Sequence, residues 1–468
     1  MPLSQRYRPA PRIEALGETF YDRVQAAQFP KLTLRFRNDR AAQSVGLETL
    51  TDDEWLQHFG QFQPLPKNLQ QPLALRYHGH QFRNWNPNIG DGRGFLFAQL
   101  QDHNQRLLDL GTKGTGRTPW SRTGDGRLTL KGGVRELLAT ELLEARGVNT
   151  SRTLSLIETG EALVRHDEPS PTRGCALVRL SHSHIRFGTF QRLKFLKDDT
   201  AIEALLHYCA QNYYPDIAAL PTHELAEAFL QKVLDAKAQT VGGWMAAGFV
   251  HGVLNTDNMN ITGESFDYGP WRWLPYIDPG FTAAYFDDGK LYAYERQPSA
   301  VLWNLARLAE TLLHLSTVER MTMILDDFPQ RATRAWAQHL LQLLGVQSLG
   351  DARDNELMTA LIQWLAQTRV PYDRFLFDWY GGSASVKRAK DSPLQAKYNT
   401  PAFDEVRAHL FDHPPTNPER LDNAYFQSNQ EISNHIDTVE ALWEPIDRDD
   451  HWEPLLQHID RIRQSAEP

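Results

Sequence analysis

Cysteine is scarce in this chain, and so are long apolar runs. Cys175 and Cys209 are the two cysteines among 468 residues. They are too few for a disulfide framework and fit a reducing compartment. No stretch approaches the ~18 consecutive apolar residues of a membrane span. The first 25 residues also lack the apolar core of a secretory signal peptide. We therefore expect a cytoplasmic protein without a membrane partner.

The chain also has no excess of basic residues. The 49 Lys and Arg are outnumbered by 58 Asp and Glu, which gives a net charge of −9. General binding to nucleic acid needs a basic face, so we expect no nucleic-acid partner, although a local basic pocket stays allowed. The G-x-S-x-G motif of hydrolases is absent. His78 and His80 lack the H-E-x-x-H pattern and any nearby cysteine pair, which argues against a zinc site.

Large apolar side chains are plentiful. The composition is 41% hydrophobic and 23% charged, with 12 Trp and 22 Phe, as in an ordinary folded protein. Because a single core stops growing near ~250–300 residues, a chain of this length predicts two lobes or more.

Strand and helix signals divide the chain unevenly. The opening, 1–75, looks irregular. Strand patterns follow at 94–100, 106–110, 152–157, 162–165 and 175–180, with a turn expected at 158–161. A helix with apolar residues at helical spacing is predicted between them, at 134–146, and Gly147 follows where it would stop. Later helices are predicted at 201–209, 225–248 and 302–315, and short strands and loops at 258–286.

A sheet-rich part followed by a helical part is the order found in two-lobed kinases. We therefore predict an α+β, protein-kinase-like, two-lobed fold with a helical C-terminal extension. The predicted divisions are an N-terminal segment at 1–75, a sheet-rich N-lobe at 76–189, a helical C-lobe with the metal site at 190–345, and the extension at 346–468.

Three glycine-rich turns carry the first chemical signal: 90–94 (GDGRG), 111–116 (GTKGTG) and 124–127 (GDGR). Glycines let a backbone approach a nucleotide and expose its N–H groups. Kinases place their phosphate-binding lysine near the end of a strand, as Lys113 is placed here. Plain turns and a surface lysine are the simpler alternatives, and Asp91 would repel phosphates.

A glutamate and two arginines extend the pattern. Glu136 lies in the predicted helix 134–146, where a kinase-like fold needs a glutamate to pair with its lysine. A bend between Arg179 and Arg186 would bring both guanidinium groups to one pocket, and arginine binds two phosphate oxygens at once. A solvated helix face and surface ion pairs are the alternatives.

The most specific segment is 251–258 (HGVLNTDN), followed by 267–269 (DYG). An Asn and then an Asp that opens a D-x-G turn are what kinases use to hold magnesium, here Asn258 and Asp267. Kinases place their base five residues before that Asn, where this chain has Val253, which cannot accept a proton. Either the site is inactive, or the neighbouring Asp257 acts as the base.

With these residues in view, the chain resembles the selenoprotein-O family, which are pseudokinase-like protein adenylyltransferases. The resemblance runs from about residue 75 to 315. The motifs that carry it are 79–82 (GHQF), 90–93 (GDGR), 113–116 (KGTG), 121–122 (SR), 124–127 (GDGR), 135–136 (RE), 183–190 (SHIRFGTF), 251–259 (HGVLNTDNM), 267–270 (DYGP) and 296–298 (RQP).

The resemblance implies an enzyme that moves AMP from ATP to Ser, Thr or Tyr hydroxyls of proteins and releases pyrophosphate. It implies ATP bound inverted, with Mg²⁺ or Mn²⁺ as cofactor. Asp257 would be the base, and Asn258 and Asp267 the metal ligands. The nucleotide would be held by Gly90, Gly92, Arg93, Lys113, Asp125, Gly126, Glu136, Arg179 and Arg186.

The chain departs from the family in one respect. Many members carry a cysteine or selenocysteine near the C-terminus, and some pair it with a cysteine after the Asp-Tyr-Gly segment. This chain ends in QSAEP and has TAA at 282–284, so disulfide regulation is doubtful, and we expect Cys175 and Cys209 to be buried. A kinase-like phosphotransferase and a non-catalytic ATP-binding module remain the alternative functions.

Overall fold

A computed structural model describes residues 3–166 and 168–467. Strands dominate the first part of the chain and helices the second, which confirms the predicted α+β class. Within the residues described, no helix combines the length and the apolar character that crossing a membrane requires.

The strands are short except in the centre of the main sheet. They are β1 (Tyr21–Arg23), β2 (Thr33–Arg37), β3 (Leu73–Leu75), β4 (Gly79–Gln81), β5 (Asn84–Asn86), β6 (Leu96–Gln101), β7 (Leu107–Lys113), β8 (Leu128–Thr129), β9 (Arg152–Leu163), β10 (Thr172–Ser181), β11 (Phe249–Val250) and β12 (Arg272–Trp273).

Helices occupy most of the chain beyond β10. They are α1 (Asp39–Ser44), α2 (Asp52–Phe59), α3 (Leu130–Ala145), α4 (Phe187–Phe195), α5 (Asp199–Tyr213), α6 (Thr222–Ala247), α7 (Gln297–Ala309), α8 (Val318–Asp326), α9 (Phe328–Leu344), α10 (Asp351–Thr368), α11 (Tyr372–Asp378), α12 (Val386–Asp391), α13 (Gln395–Tyr398), α14 (Pro401–Asp412), α15 (Ala424–Gln427), α16 (Ile436–Asp449) and α17 (Glu453–Gln464). Short 3₁₀ turns lie at Arg12–Leu16, Thr256–Asn258, Tyr294–Arg296, Glu310–Leu312, Gly382–Ser385 and Pro418–Asp422.

The main sheet is antiparallel, with the order β1-β3-β6-β7-β10-β9-β2 and with β8 beside β10. Successive residues of a strand point to opposite faces, so the central strands place side chains in two apolar cores, one on each face of the sheet. Leu156 and Leu177 pack with α3 on one face. Ile157 and Val178 pack on the other face with Trp55 of α2. The sheet is therefore covered by helices on both sides.

The opening of the chain is not irregular, so that interpretation was wrong. β1 pairs with β3 and β2 pairs with β9, so both join the main sheet. α1 and α2 cover one of its faces. Strands of three to five residues hold too few positions for a period-two pattern to stand out.

The predicted turn at 158–161 was also wrong, because β9 runs unbroken through it. Glu158 pairs in register with Thr33 of β2 and with Cys175 of β10. Its carboxylate is neutralised by Arg35 at 2.6 Å and Arg173 at 2.7 Å. A polar residue in mid-strand is thus satisfied by partners that are distant in sequence.

The helices that the sequence predicted are present with longer bounds. Predicted 134–146 is α3, which begins after Thr129, whose side chain accepts a hydrogen bond from the Gly132 N–H. Predicted 201–209 and 225–248 are α5 and α6. Predicted 302–315 is α7 followed by a 3₁₀ turn. A third apolar core is built mainly by α9, α10, α11 and α14, whereas α16 and α17 return to pack on α3.

Candidate active site

A cavity of about 690 Å³ lies between the main sheet and the segment 257–267. Ten of the twelve predicted site residues line it: Gly90, Gly92, Arg93, Lys113, Asp125, Gly126, Arg179, Arg186, Asp257 and Asp267. Glu136 reaches it through Lys113, and Asn258 follows Asp257 directly in the chain. Residues from β7, β10 and the 3₁₀ turn Thr256–Asn258 thus meet in one cleft.

Lys113 links the sheet, α3 and the D-x-G turn. It ends β7, and its ammonium group is paired with Glu136 of α3. Its Nζ also lies 3.3 Å from Oδ1 of Asp267. Both members of the lysine–glutamate pair are buried, at 4% and 3% exposure. A buried lysine needs such partners, because an unpaired buried charge is costly. Two carboxylates therefore fix the position of the ammonium group.

Two arginines converge on the same aspartate. Nη1 of Arg179 lies 3.3 Å from Oδ1 of Asp267, and Nη2 of Arg186 lies 3.9 Å from Oδ2. Burial alone would raise the pKa of Asp267. Together with Lys113, however, the two arginines hold that pKa well below its usual range. Asp267 is therefore a carboxylate anion surrounded by cations.

Arg186 is buried and only partly satisfied. It lies at the N-terminus of α4, over the ring of Tyr77, with the guanidinium carbon 4.2 Å from the ring centre. Its Nη1 is 3.1 Å from Oδ1 of Asp91. Counting partners from residues 3–166 and 168–467, Nε and Nη1 make no hydrogen bond of acceptable geometry. Buried donors of this kind are suited to an anionic ligand.

Asp91 has a structural explanation that the sequence did not reveal. Its Oδ2 accepts a hydrogen bond from the Leu75 N–H at 3.1 Å, and Oδ1 faces Arg186. The negative charge of the glycine-rich turn is therefore neutralised within the protein, so it need not repel a bound phosphate.

The glycine-rich turns pack closely on one another. The Arg93 carbonyl accepts a hydrogen bond from the Gly114 N–H at 2.6 Å, which holds turn 90–94 beside the lysine strand. A Cβ on Gly90 would lie 2.5 Å from the indole of Trp120, so that position has no room for a side chain. Asp125 forms an ion pair with Arg165 at 2.8 Å, and both residues line the cavity.

Asp257 is 9% exposed and lies in the 3₁₀ turn Thr256–Asn258. Burial raises its pKa to about 6, although the Arg186 guanidinium opposes the shift. Oδ2 accepts a hydrogen bond from Nε2 of Gln81 at 3.3 Å, whereas Oδ1 has no hydrogen-bond partner among the residues that the structure describes. The next residue, Asn258, donates from Nδ2 to the Val253 carbonyl at 3.0 Å, which orients its amide.

Three further residues contribute to the cleft but escaped the sequence interpretation of the site. Tyr77 stacks on Arg186, Gln81 contacts Asp257, and His184 accepts a hydrogen bond from Nε of Arg179 at 3.3 Å. Gln81 and His184 lie inside the motifs GHQF and SHIRFGTF, so the signal was present without an assigned role. Cys175 and Cys209 are buried, as expected.

Known proteins are similar to this chain over most of its length. The family model described as protein adenylyltransferase SelO matches residues 3–463. Several proteins named protein nucleotidyltransferase YdiU are similar over nearly their whole length. The one from Synechocystis sp. is 42% identical over 98% of this chain and 98% of its own. That from Trichodesmium erythraeum is 42% identical, with 98% of each chain covered. That from Gloeobacter violaceus is 41% identical over 98% of this chain and 95% of its own.

Proposed function

The chain belongs to the SelO family of protein adenylyltransferases, and from that premise we propose that its cleft transfers AMP from ATP to Ser, Thr or Tyr hydroxyls of other proteins. The enzyme is a nucleotidyltransferase, and ATP is its nucleotide substrate. The acceptor residue type, the metal and the role of each side chain are parts of the proposal. We place the reaction in the cytoplasm, where ATP is abundant and buried thiols stay reduced.

One observation carries the proposal: Lys113, Arg179 and Arg186 converge on Asp267 at the wall of one cavity. Several cations held around a cleft by a sheet and a helix suit a triphosphate, because fixed donors stabilise phosphate charge without reorganising. The buried Nε of Arg186, which has no hydrogen-bond partner among the described residues, supports the same ligand. Gly90, Gly92, Arg93, Asp125 and Gly126 line the remainder of the nucleotide site.

A protein-kinase-like arrangement of two lobes is part of the proposal. It is supported by a lysine at the end of a strand, its paired glutamate on the following helix, and a D-x-G aspartate 3.3 Å from the lysine nitrogen. The proposed divisions are the segment 1–75, the N-lobe 76–189, the C-lobe 190–345 and the helical extension 346–468. The segment 1–75 and the N-lobe 76–189 both contribute strands to the main sheet.

The residues present fit a magnesium ion. No group of three or more His, Cys, Asp and Glu able to hold a metal occurs in 3–166 and 168–467. Mg²⁺ does not need one, because it takes one or two protein oxygens and fills its shell with water and phosphate. Asp267 is an anion, and the Asn258 amide is oriented through its nitrogen. These two would hold Mg²⁺, or Mn²⁺, which would neutralise phosphate charge when bound.

Asp257 is proposed as the base. The acceptor hydroxyl oxygen forms a bond to the α-phosphorus of ATP, and its proton passes to Asp257. The bond from that phosphorus to the oxygen bridging to the β-phosphate breaks, and pyrophosphate leaves with the electron pair. The free Oδ1 and a pKa of about 6 suit Asp257 to this step near neutral pH. Val253, at the usual base position of kinases, cannot take part.

Labelled ATP tests the proposal. The enzyme is incubated with Mg²⁺, candidate protein acceptors and ATP labelled at either the α- or the γ-phosphate. Label transferred from the α position alone, together with release of pyrophosphate, is the expected result. Transfer from the γ position alone would establish a phosphotransferase instead. ATP binding with no transfer from either position, across a broad set of acceptor proteins, would establish a non-catalytic nucleotide-binding module.

A further inference from the structure

The strands β4 and β5 form a separate hairpin that reaches the loop of Asp257. The register pairs Gly79 with Asn86 and Gln81 with Asn84. The hairpin is fastened to that loop at two points. The His80 N–H donates to Oγ1 of Thr256 at 2.7 Å. The Phe82 N–H donates to Oδ1 of Asn255 at 2.9 Å.

Gln81 lies between these two anchors, and its amide faces the carboxylate of Asp257. Nε2 of Gln81 donates to Oδ2 of Asp257 at 3.3 Å. Oε1 of Gln81 accepts a hydrogen bond from Nδ2 of Asn86 at 3.0 Å. Because Asn86 occupies the amide oxygen, the NH₂ group is the side that Gln81 presents to the carboxylate. Asn86 is itself held, since its Oδ1 accepts from the Asn88 N–H at 2.9 Å.

The same hairpin confines the other oxygen of the carboxylate. A Cβ on Gly79 would lie 3.1 Å from Oδ1 of Asp257, so the glycine backbone approaches that atom closely. Oδ1 accepts no hydrogen bond from the described part of the chain. One carboxylate oxygen is therefore held by Gln81, and the other is buried without a hydrogen-bond partner among the described residues. Gln81 and Asp257 both line the cavity.

The turn of the hairpin is strained, and it is held in place by aromatic contacts. Phe82 and Arg83 have φ angles of 48° and 64°, a region that non-glycine residues rarely adopt. Phe82 packs against Phe286 and Tyr292, with ring centres 5.7 and 4.9 Å apart. Arg83 lies over the ring of Trp303 at 5.4 Å. Strain of this kind is retained where the surroundings over-determine a conformation, which is common at functional sites.

We propose that Gln81 is a positioning residue for the transfer reaction, and that it holds Oδ2 of Asp257 so that Oδ1 is the atom that receives the hydroxyl proton. The inference rests on the proposed function, since it assumes that Asp257 is the base. Asn86 acts one step further out, because it orients the amide of Gln81. Gln81 itself exchanges no proton and forms no bond with the substrate.

The test is the variant Gln81→Leu, which keeps the size of the side chain and removes the donor. We expect kcat for AMP transfer to fall about ten- to hundredfold, the usual effect of losing a hydrogen bond to a charged group. KM for ATP stays at the wild-type value. Asn86→Leu gives a smaller fall in kcat of the same kind. The exposed Gln71 supplies a matched control, since Gln71→Leu leaves both constants unchanged.

A double-mutant cycle separates positioning from general damage. In the Asp257→Asn background, Gln81→Leu has no further effect on residual transfer if Gln81 acts through that carboxylate. An equal fall in both backgrounds overturns the inference, and so does a rise in KM for ATP at unchanged kcat. If Gln81→Leu is poorly folded, Asn86→Leu provides the same cycle. Wild-type enzyme without any α-label transfer would overturn the proposed function itself, a distinct result.

Discussion

Arg463 in α17 donates two hydrogen bonds, from Nε and Nη2, to the two carboxylate oxygens of Glu141 in α3, and both are 2.8 Å long. α3 is also the helix that carries Glu136, the partner of the cleft lysine. A second contact joins the same regions, since Nδ2 of Asn434 donates to the Leu138 carbonyl at 2.7 Å. The C-terminal part of the chain therefore holds the helix on which the lysine–glutamate pair depends.

The first prediction concerns this ion pair. The Glu141 side chain is 2% exposed, so Arg463→Met would leave a buried carboxylate with Arg40, 3.6 Å away, as its remaining cationic contact. We expect the free energy of unfolding to fall by about 3 kcal/mol, as when one member of a buried pair is removed. Urea denaturation measures the change.

The control for Arg463→Met is the double variant Arg463→Met with Glu141→Gln. Glu141→Gln removes the buried carboxylate charge that has lost its partner, so the double variant recovers most of the lost stability. A wild-type unfolding midpoint for Arg463→Met alone would show that α17 does not stabilise α3 through this pair.

The second prediction is a pH dependence in the same region. Burial, with a smaller effect of Arg461, lowers the pKa of His458 to about 4 from 6.5. Its Nε2 donates to Oδ1 of Asn434 at 2.8 Å. Between pH 6.5 and 4 the unfolded chain binds a proton that folded His458 does not. Its contribution to stability is therefore complete above pH 6.5 and is lost as the pH falls through this window.

His458→Gln keeps a donor for Asn434 and does not titrate. We expect its free energy of unfolding to fall less steeply than that of the wild type between pH 6.5 and 4, by at most about 3 kcal/mol over the window. His78 and His182, whose pKa values burial also lowers to about 4, are present in both proteins and cancel in the comparison. Parallel stability curves would disprove the assignment.

Local signals in the sequence were enough to predict the parts of the cleft that lie near one another in the chain. The spacing of apolar residues predicted the helix that the structure shows as α3. A glycine-rich turn at the end of a strand pointed to Lys113 as the phosphate-binding lysine. A residue at the end of a strand and a glutamate early in the next helix meet because the two elements pack together. The α+β class followed from the order of these patterns.

What the sequence did not reveal depends on partners far apart in the chain. Gln81 and Asp257 are 176 positions apart, and Arg463 and Glu141 are 322 apart. No period or motif links either pair, because each contact is created by tertiary packing. The charge of Asp91 illustrates the consequence: its sequence neighbours indicated repulsion of phosphate, whereas its neutralising partner, Arg186, is remote.

The third prediction tests the proposed base. Asp257→Asn keeps the shape of the side chain but cannot accept the hydroxyl proton, so AMP transfer should fall about 10²- to 10⁴-fold. ATP affinity, measured by titration calorimetry with Mg²⁺, stays near the wild-type value, because the cations of the cleft are intact. Asp288 is exposed and lies between β12 and the 3₁₀ turn Tyr294–Arg296. Asp288→Asn is therefore the matched control and keeps full activity. Wild-type rates in Asp257→Asn would remove this residue from the mechanism.

The fourth prediction uses the close approach of Gly79 to the same carboxylate. A methyl group there would lie 3.0 Å from Oγ1 of Thr256, 3.1 Å from Oδ1 of Asp257 and 3.3 Å from its Cβ. These distances are shorter than ordinary van der Waals contacts, so Gly79→Ala must displace the Asp257 side chain by a few tenths of an ångström. Active sites are sensitive to such shifts, and a misplacement of about 1 Å can reduce a rate about 100-fold.

We therefore expect Gly79→Ala to lower kcat for AMP transfer by about tenfold while KM for ATP stays unchanged, since the cation cluster around Asp267 lies on other segments. Gly289→Ala is the matched control, because no atom lies within 4 Å of the added methyl; it keeps wild-type kcat. Thermal unfolding of both variants excludes a loss of folded protein as the cause. If Gly79→Ala retains full kcat, the position of Asp257 does not limit transfer, and the hairpin of β4 and β5 has no part in arranging the base.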